Sequence, residues 1–381
     1  MVIDLCKLRD VVVDPEAQTV SFGGGCLWQH VDGALAEHGM ATTGGLVSHT
    51  GVGGLILGGG SGWLEGKHGL AIDNLISIEV VLADGSVVEA SDTSHADLFW
   101  AMRGAGAQFG VATRFTSHAY PQGPVWCGFL VFPLDAMPRL VDFANEMHDR
   151  NVVGPNFLLG VSCAPPDFTH AVVLAGVFYD GPAEEGEQFF KPVLDMEPMM
   201  NHVSMMDYKT ANTIFDGANA HGMRRLMAMP MVKMPLGADK VVEMAQDFVA
   251  FLQTHDGMGQ SLFGIEVFPS GRSGRVPMDA TAYANRQAGD GYRGVLAWTW
   301  TKPEYDDEVR AYNKTFRTKV QATCGRGAWR PGQPVGMHIS AESDKLSPQQ
   351  AFGDNAPRLV ELKKKYDPAN VFNKWHSILA E

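Results

Sequence analysis

The stretch Thr42-Thr-Gly-Gly-Leu-Val-Ser-His-Thr-Gly-Val-Gly-Gly-Leu-Ile-Leu-Gly-Gly-Gly-Ser-Gly-Trp63 decides how this sequence is interpreted. It places nine glycines within twenty-two residues, around Ser48, His49 and Thr50. Glycine permits positive φ angles and lets backbone N–H groups approach an anion closely. This stretch, called the glycine loop below, therefore predicts a cradle for a pyrophosphate. A run of tight turns with close strand packing is the structural alternative.

The glycine loop does not match either of two standard nucleotide-binding motifs. Gly53 and Gly58 have the spacing of a P-loop, but glycines follow where lysine and serine or threonine are required. Gly51-x-Gly53 begins like a dinucleotide fingerprint, but Ile56 stands in place of the third glycine and no clear βαβ unit surrounds it. Phosphoryl transfer and a nicotinamide enzyme are therefore disfavoured, which leaves a different dinucleotide fold.

Length and charge narrow the classes of partner. A chain of 381 residues is long enough for roughly two or three domains. Its 30 Lys and Arg residues against 43 Asp and Glu give a net charge of −13, which argues against a nucleic-acid partner because such a protein needs a basic face. No apolar run approaches the ~20 residues that span a bilayer, so we expect no membrane partner.

The cysteines and the first residues indicate neither a disulfide framework nor a targeting segment. The cysteines are Cys6, Cys26, Cys127, Cys163 and Cys324; they are odd in number and form no C-x-x-C pair, so buried reduced thiols are expected and no metal site. The run Met1–Leu5 has no basic region and no small-residue cleavage site, so it is not interpreted as a signal peptide. Location is therefore cytoplasmic by default, and the oligomeric state is left open.

The chain changes character near residues 121–124. Before that point it has short strands, turns and a helix that begins at Trp28. After it, longer apolar strands alternate with helices, which suits an α+β domain with a sheet covered by helices on one side. The predicted strands are Trp126–Phe132, Ala171–Phe178, Ser261–Phe268 and Gly294–Thr301, and the predicted helices are Asp135–Arg150, Glu184–Val193, Ala238–Thr254, Tyr305–Thr323 and Gln349–Tyr366.

An ordered set of motifs resembles one flavoprotein family. The run Gly51-Val-Gly-Gly-Leu-x-Leu-Gly-Gly-Gly-x-Gly-Trp63 resembles the FAD-linked oxidases of the berberine-bridge-enzyme-like group, within the vanillyl-alcohol-oxidase (PCMH-type FAD-binding) superfamily. The resemblance spans nearly the whole chain. Further matching segments are Lys67–Leu75, Ala83–Gly85, Asp97–Gly104, Phe109–Val111, Asp279–Tyr283 with Arg286, Phe352–Asn355, and Arg358 to Phe372.

The resemblance implies an α+β fold with two domains. A PCMH-type FAD-binding domain would comprise residues 1–122, and a substrate domain, an antiparallel sheet with helices on one face, would comprise 123–345. The segment 346–381 would return to the FAD domain. The flavin would lie at the junction, the usual place for a cofactor cleft. The cofactor-binding residues that we predict are Gly44, Gly45, Ser48, His49, Gly51, Val52, Gly53, Gly54, Leu57, Gly58, Gly60, Gly110, Val111 and Asn370.

The sequence departs from the family pattern at both covalent links to flavin. In the family, a loop that bears a histidine bonded to the flavin precedes the strand that corresponds to Val2–Leu5, and this chain starts after that loop. Some relatives add a cysteine link from the glycine loop, at the position of Val47 here. Cys26 lies in a different turn. FAD is therefore expected to be bound non-covalently, with part of its cradle absent and activity weak.

The expected catalytic tyrosine is also missing. Relatives often carry it about sixteen residues before the Tyr-Gly or Phe-Gly of the C-terminal helix, which falls near Gly336-Met-His338 here. His338 is a candidate base because imidazole titrates near neutrality, although a strand histidine that only packs is an alternative. Glu266, in the strand 263–268, is a second candidate that faces either the cleft or solvent. The methionine-rich stretches Met196–Met206 and Met223–Met234 indicate packing filler or an apolar substrate pocket.

Together these features predict an FAD-dependent oxidoreductase. A base would take a proton from a small organic substrate (an alcohol, sugar, amine or activated C–H), hydride would pass to the flavin, and O2 would be the electron acceptor. The alternative is a truncated, catalytically weak or inactive flavoprotein relative, which is a binding or vestigial protein or the product of an incomplete gene model.

Overall fold

The computed structural model describes residues 2–286, 291–325 and 346–379. The strands in these ranges are β1 (Val11–Asp14), β2 (Thr19–Gly23), β3 (Met40–Ala41), β4 (Leu75–Val81), β5 (Val87–Ser91), β6 (Val111–His118), β7 (Tyr120–Pro121), β8 (Val125–Phe132), β9 (Asn156–Ala164), β10 (His170–Tyr179), β11 (Met200–Asn201), β12 (Ser204–Met206), β13 (Arg224–Ala228), β14 (Met231–Lys233), β15 (Leu262–Val267) and β16 (Gly291–Trp300). The helices are α1 (Trp28–Ala36), α2 (Val52–Leu57), α3 (Glu65–His68), α4 (Ala96–Ala105), α5 (Met137–Arg150), α6 (Ala183–Phe189), α7 (Lys191–Leu194), α8 (Tyr208–Ala211), α9 (Ala238–Gln253), α10 (Asp306–Thr323), α11 (Pro348–Phe352) and α12 (Ala356–Tyr366).

The first sheet is antiparallel, with strand order β1-β2-β6-β4-β5. Its inward residues alternate with outward ones, as the period of two in a strand requires, and Phe22 stacks on Phe115 at 5.7 Å between ring centroids. Helix α1 packs on this core through Trp28, Val31 and Leu35, the face that helical spacing predicts. This first core therefore belongs to the part of the chain that carries the glycine loop.

The C-terminal segment returns to the first core. Leu359 and Leu362 of α12 are buried there, together with Tyr283 from a connection far along the chain. The single helix predicted over Gln349–Tyr366 is wrong, because Gly353 adopts a φ of +51° and separates α11 from α12. The return of this segment places the chain after α12 beside the glycine loop. The exact residue bounds of two domains stay a prediction.

The second sheet is also antiparallel and has the order β11-β8-β10-β9-β15-β16-β13, with β12 paired to β8 and β14 paired to β16. Helices α5, α9 and α10 pack on it through apolar residues at three- and four-residue spacing, such as Leu140 and Met147 of α5 and Phe248 of α9. Strand β9 is almost completely buried and was not predicted, whereas the helices α5, α9 and α10 match their predicted ranges to within two residues. The α+β architecture is confirmed.

An aromatic contact fixes the two sheets relative to each other. The Trp63 ring, at the end of the glycine loop, stacks on Phe178 of β10 with centroids 4.8 Å apart and an interplanar angle of 3°. Asn156 of β9 donates a hydrogen bond from Nδ2 to the Trp63 carbonyl at 2.7 Å. These contacts hold the glycine loop over one face of the second sheet, where they define the space described next.

Across the described ranges, none of the helices combines the length and the apolar character that crossing a membrane requires.

Candidate active site

A cavity of about 660 Å³ lies between the glycine loop and a face of the second sheet. One wall is the loop itself, from Gly45 to Ser61, and the opposite wall is formed by β9, β13, β15 and β16. The C-terminal segment contributes Phe352 and Trp375. This space, called the junction cavity below, is in the size range of small-molecule and cofactor sites, about 300–1,000 Å³.

The loop wall is bare backbone at two glycines. Gly51 and Gly54 are exposed to the junction cavity, and a Cβ built on either would meet no other atom within 4 Å. The sequence leaves side chains out at these positions although the protein itself has room for them. Backbone can therefore approach a bound group closely at Gly51 and Gly54, which is the use expected of glycine at a phosphate site.

Other glycines of the loop serve packing within the protein. A Cβ at Gly44 would lie 2.5 Å from the Trp28 ring, and a Cβ at Gly59 would lie 2.8 Å from the Tyr283 ring. Gly60, with a φ of +78°, would bring a Cβ within 2.5 Å of the side chain of Ala71. The packing explanation of the glycine loop therefore holds for these three residues, whereas the phosphate cradle at Gly51 and Gly54, which open to the cavity, stays a prediction.

Ser48 and His49, which are predicted to bind the cofactor, contact the second half of the chain. The Asp216 carboxylate accepts hydrogen bonds from the Ser48 backbone N–H at 2.9 Å and from the Ser48 hydroxyl at 2.5 Å. The His49 ring packs on His221 with centroids 4.7 Å apart. Neither residue lines the junction cavity; both connect the glycine loop to residues 207–221, and their role in cofactor binding stays a prediction.

The remaining predicted cofactor residues divide between the cavity and its surroundings. Gly45, Gly51, Gly54, Leu57 and Gly58 line the junction cavity, whereas Gly44, Val52, Gly53, Gly60, Gly110, Val111 and Asn370 do not. Val52 is fully buried in the first core, and a Cβ at Gly110 would lie 2.5 Å from Val80. A role of these outlying residues in cofactor binding stays a prediction.

The sheet wall is apolar. Side chains that alternate along the strands point to the junction cavity, because residues two apart in a strand share a face. Met227 and Met229, from the second methionine-rich stretch, belong to this wall. These two methionines therefore line a pocket and do not serve only as packing filler. The apolar wall consists of Leu158, Met227, Met229, Leu262, Val295 and Ala297.

Glu266 is the ionisable member of the described cavity lining. It lies on β15 directly opposite Arg293 of β16, whose Nε donates to Glu266 Oε2 at 2.7 Å. Arg293 also donates from Nη2 to Oε1 of Glu65 at 2.9 Å. Burial raises the pKa of Glu65, an effect that Arg293 only partly offsets, while the two carboxylates raise the pKa of Arg293. Of its two predicted alternatives, Glu266 therefore faces the cleft.

Sequence reasoning missed several lining residues. Phe215 and Asn219 come from the irregular segment after α8, and Trp375 from the chain after α12. Gln108 lies within the matched region but was not singled out; its side chain donates to the carbonyl of Trp375 and its Oε1 accepts from the N–H of Ile378 at 3.4 Å. The signal that could have identified Gln108 is its position directly before the Phe109–Val111 motif.

Two other sequence candidates are placed differently. His338, predicted as a base, lies outside the described residues, so it stays a prediction. Cys26 is buried in the first core and does not line the junction cavity. All five cysteines are free thiols, of which Cys6 is exposed, contrary to the expectation that every thiol is buried.

These features fit a flavin dinucleotide. The open positions at Gly51 and Gly54 suit phosphate or ring atoms that must lie against backbone, and the apolar wall suits a flat ring system and an apolar substrate. Gln108 and Thr50 add polar groups at the loop side of the cavity. FAD would be held by the loop wall, from Gly45 to Gly58, together with Gln108.

Comparison with protein families gives two matches. Residues 1–91 match the family described as FAD binding domain, and residues 342–379 match the family described as berberine and berberine like. Among curated proteins, the FAD-linked oxidoreductase pgmH of Aspergillus terreus is 34 % identical over 397 aligned positions, covering 100 % of this chain and 79 % of that protein. The FAD-linked oxidoreductase fogF of Aspergillus ruber is 29 % identical, covering 100 % and 77 %.

Solved structures have the same fold. A xylooligosaccharide oxidase from Myceliophthora thermophila superposes with a TM-score of 0.83 at 23 % identity, covering 100 % of this chain and 82 % of that one. Berberine bridge enzyme from Eschscholzia californica superposes with a TM-score of 0.81 at 18 % identity, covering 99 % and 80 %. The full-length similarity to pgmH and the two family matches, together with a cavity that fits the cofactor, establish that this chain belongs to the berberine-bridge-enzyme-like family of FAD-linked oxidoreductases.

Proposed function

We propose that the protein oxidises a small, largely apolar organic molecule in the junction cavity, with O2 as the electron acceptor. The observation that carries this proposal is the pairing of an open glycine wall with an apolar sheet wall that contains one carboxylate, Glu266. When bound, FAD supplies the hydride-accepting chemistry that side chains lack. The chain's own residues bind, orient and deprotonate the substrate.

Glu266 is the proposed base. Its Oε2 accepts a hydrogen bond from Arg293, and Glu266 lines the junction cavity. A carboxylate that is fixed through one oxygen and borders a cavity can accept a proton from a bound hydroxyl or amine. His338 remains a second candidate from the sequence alone.

The apolar wall is the basis for the proposed substrate class. A sugar brings many hydroxyl groups, and each hydroxyl buried without a partner costs about 1–3 kcal/mol. The described lining offers only Thr50, Ser61, Gln108, Asn219 and Glu266 as polar side chains, set among aliphatic, methionine and aromatic groups. A substrate with an apolar body and one or two polar groups therefore fits this space better than an oligosaccharide.

We also propose that FAD is held without a covalent bond. The described residues that line the junction cavity include no cysteine and no histidine. These are the two side chains that form covalent bonds to flavin in the family that the sequence resembles. Val47 lies in the lining at the position expected for the cysteine link. Binding would then rest on the backbone of the glycine loop and on the contacts around it.

The test begins with FAD loading. Purified protein is mixed with FAD, dialysed, and its absorption spectrum recorded before and after denaturation; a flavin spectrum perturbed by the folded protein is expected. Apolar aromatic alcohols and amines, and a xylooligosaccharide as contrast, are then screened for peroxide release. We expect turnover with an apolar compound, lowered about 10²–10⁴-fold in Glu266→Gln, the range for loss of a general base.

The matched control is Glu361→Gln on the exposed face of α12, which should leave turnover unchanged. Loading without turnover of any compound would contradict the proposed reaction and favour a binding role. Turnover confined to the oligosaccharide would contradict the proposed substrate class, and full activity of Glu266→Gln would exclude Glu266 as the base.

A further inference from the structure

Three buried charged side chains form a continuous cluster beneath the junction cavity. Arg293 shares its guanidinium between Glu266 (Nε to Oε2, 2.7 Å) and Glu65 (Nη2 to Oε1, 2.9 Å). The side chains of Glu65, Arg293 and Glu266 are 0 %, 3 % and 7 % exposed. Only Glu266 of the three lines the cavity. These residues are called the charge cluster below.

The fold brings the charge cluster together from both halves of the chain. Glu266 and Arg293 face each other in the β15–β16 register, so their side chains project from the same side of the second sheet. Glu65 begins α3, directly after the glycine loop. The cluster therefore connects the substrate-facing sheet with the element that follows the loop.

Charge counting shows that the charge cluster is one positive charge short. Two carboxylates and one guanidinium carry a net charge of −1 when all are ionised, and a buried net charge is costly. The second oxygen of Glu65, Oε2, is buried and has no partner among the described residues, whereas Glu266 lines the cavity. A proton taken up by the cluster is therefore best placed on Glu65, which leaves Glu266 as the ion that Arg293 neutralises.

We infer that Glu65 and Arg293 are positioning residues that keep the Glu266 carboxylate ionised and directed into the junction cavity. The inference rests on the proposed role of Glu266 as base. Arg293 supplies the opposite charge and fixes one oxygen of Glu266. Glu65 holds Arg293 from the far side and carries the proton that would otherwise be shared with Glu266.

Other ionisable groups near Glu65 are engaged elsewhere. On α3 itself, Lys67 pairs with Asp180 at 2.7 Å, and the His68 ring stacks on Tyr120 at 3.7 Å between centroids. Burial lowers the pKa of His68 to about 4, so the imidazole is uncharged near neutral pH. The phenol of Tyr283 is buried close to the charge cluster, and its pKa is raised by burial. Arg286, whose charge also reaches Tyr283, pairs with Asp73 at 2.7 Å, so Lys67, His68 and Arg286 do not supply the missing positive charge.

The experiment measures the charge on Glu266 by ligand binding rather than by turnover. Benzylamine, which is protonated, and benzyl alcohol, which is neutral and of similar shape, are titrated anaerobically into FAD-loaded protein by calorimetry over a range of pH. An ionised Glu266 should favour benzylamine by about tenfold or more, because charge-assisted hydrogen bonds are roughly twice as strong as neutral ones. Glu266→Gln should abolish this preference.

The decisive variant is Glu65→Gln, which keeps the size of the side chain. Because the neutral amide mimics the protonated acid, we expect the amine preference and its pH dependence to be unchanged in Glu65→Gln, whereas Glu65→Ala, which removes the hydrogen bond to Arg293, should weaken the preference. Arg293→Gln should abolish the preference although both carboxylates remain. A weakened preference in Glu65→Gln, an unweakened preference in folded Glu65→Ala, or a retained preference in folded Arg293→Gln would overturn the inference.

Separate readouts keep this inference apart from the proposed function. FAD loading is followed by absorbance, folding by circular dichroism, and Glu361→Gln again serves as the surface control. Failure to load FAD or to turn over any compound counts against the proposed function, because calorimetry needs no turnover. If Arg293→Gln does not fold, the contrast between Glu65→Gln and Glu65→Ala decides.

Discussion

The carboxylate of Asp216 binds both the backbone N–H and the hydroxyl of Ser48, at 2.9 and 2.5 Å. The two residues are separated by 168 positions in the chain, and this contact fastens the glycine loop to the segment that follows α8. That segment contributes Phe215 and Asn219 to the junction cavity. A polar pair outside the cavity thus determines where one of the cavity walls lies.

Replacement of Asp216 by alanine should loosen the segment after α8, which contributes Phe215 and Asn219 to the cavity lining. Two hydrogen bonds to a charged, partly buried acceptor are lost, at about 1.5–3 kcal/mol each before relaxation. We expect a lower free energy of unfolding in urea and faster proteolysis of the segment between α8 and β13. Ser48→Ala removes only the hydroxyl contact and should have a smaller effect in the same assays. Equal stability of Asp216→Ala and wild type would show that the contact does not fasten the wall.

Replacement of Gly54 by alanine should have opposite effects on stability and on FAD binding. Alanine is favoured over glycine inside a helix by roughly 0.5–1 kcal/mol, and the new Cβ meets no protein atom. The same Cβ enters the cavity, so we expect the dissociation constant for FAD to rise by about tenfold or more. Flavin fluorescence titration and urea denaturation measure the two effects.

Gly53→Ala is the matched control for the Gly54 variant. Its Cβ would lie 3.6 Å from the Gly24 carbonyl oxygen, an ordinary contact, and Gly53 does not line the junction cavity. The gain in helix stability should therefore appear without a loss of FAD binding. Equal losses in the two variants would contradict the assignment of the open wall to Gly51 and Gly54.

The pair Asp73–Arg286 should be essential for folding stability. Arg286 donates two hydrogen bonds to the Asp73 carboxylate, at 2.9 and 2.7 Å, and both side chains are almost fully buried. Asp73→Asn leaves the guanidinium without its counter-charge, a change worth about 3–5 kcal/mol. The exposed pair Lys191–Asp195 is the control, since Asp195→Asn should cost at most about 1 kcal/mol. Similar costs for the two variants, measured by urea unfolding, would contradict this expectation.

Stability should depend on pH through Asp32. Burial raises the pKa of Asp32 to about 7, although Asn212 donates a hydrogen bond to its Oδ2 at 2.9 Å. The unfolded chain releases this proton near pH 4 and the folded chain only near pH 7. Between these values the folded state binds more protons, so stability falls as the pH rises, by on the order of 4 kcal/mol in total.

Asp32→Asn should remove that dependence, because the amide mimics the protonated acid. Urea unfolding at about pH 5 and about pH 8 measures it, and the wild type should lose more stability than the variant across this interval. The same pH dependence in both proteins would mean that Asp32 is ionised in the folded state at both pH values.

The mode of FAD attachment has a simple test. Acid precipitation of the loaded protein should release all yellow colour into the supernatant, as expected from a described cavity lining without cysteine or histidine. Flavin fluorescence on the protein band of a denaturing gel would show a covalent bond. A chain with Val47→Cys provides the comparison, since it introduces a thiol into the lining.

Much of the architecture follows from local patterns. The helical spacing of Trp28, Val31 and Leu35 predicts α1, and amphipathic spacing predicts α5, α9 and α10. The glycine loop and the ordered motifs predict the family and its cofactor. Strand β9 was missed because it is buried along nearly its whole length, so it lacks the alternation that identifies a half-buried strand.

The sequence by itself determined the α+β class, the flavin family and the glycine loop that lines the junction cavity, because these depend on residue types at fixed short spacings. Tertiary structure alone decided which glycines open to the cavity, since Gly44 and Gly54 are chemically identical but only Gly44 lies against Trp28. It also decided that Glu266 faces the cleft beside Arg293, because strand register and the docking of α3 join residues far apart in the chain.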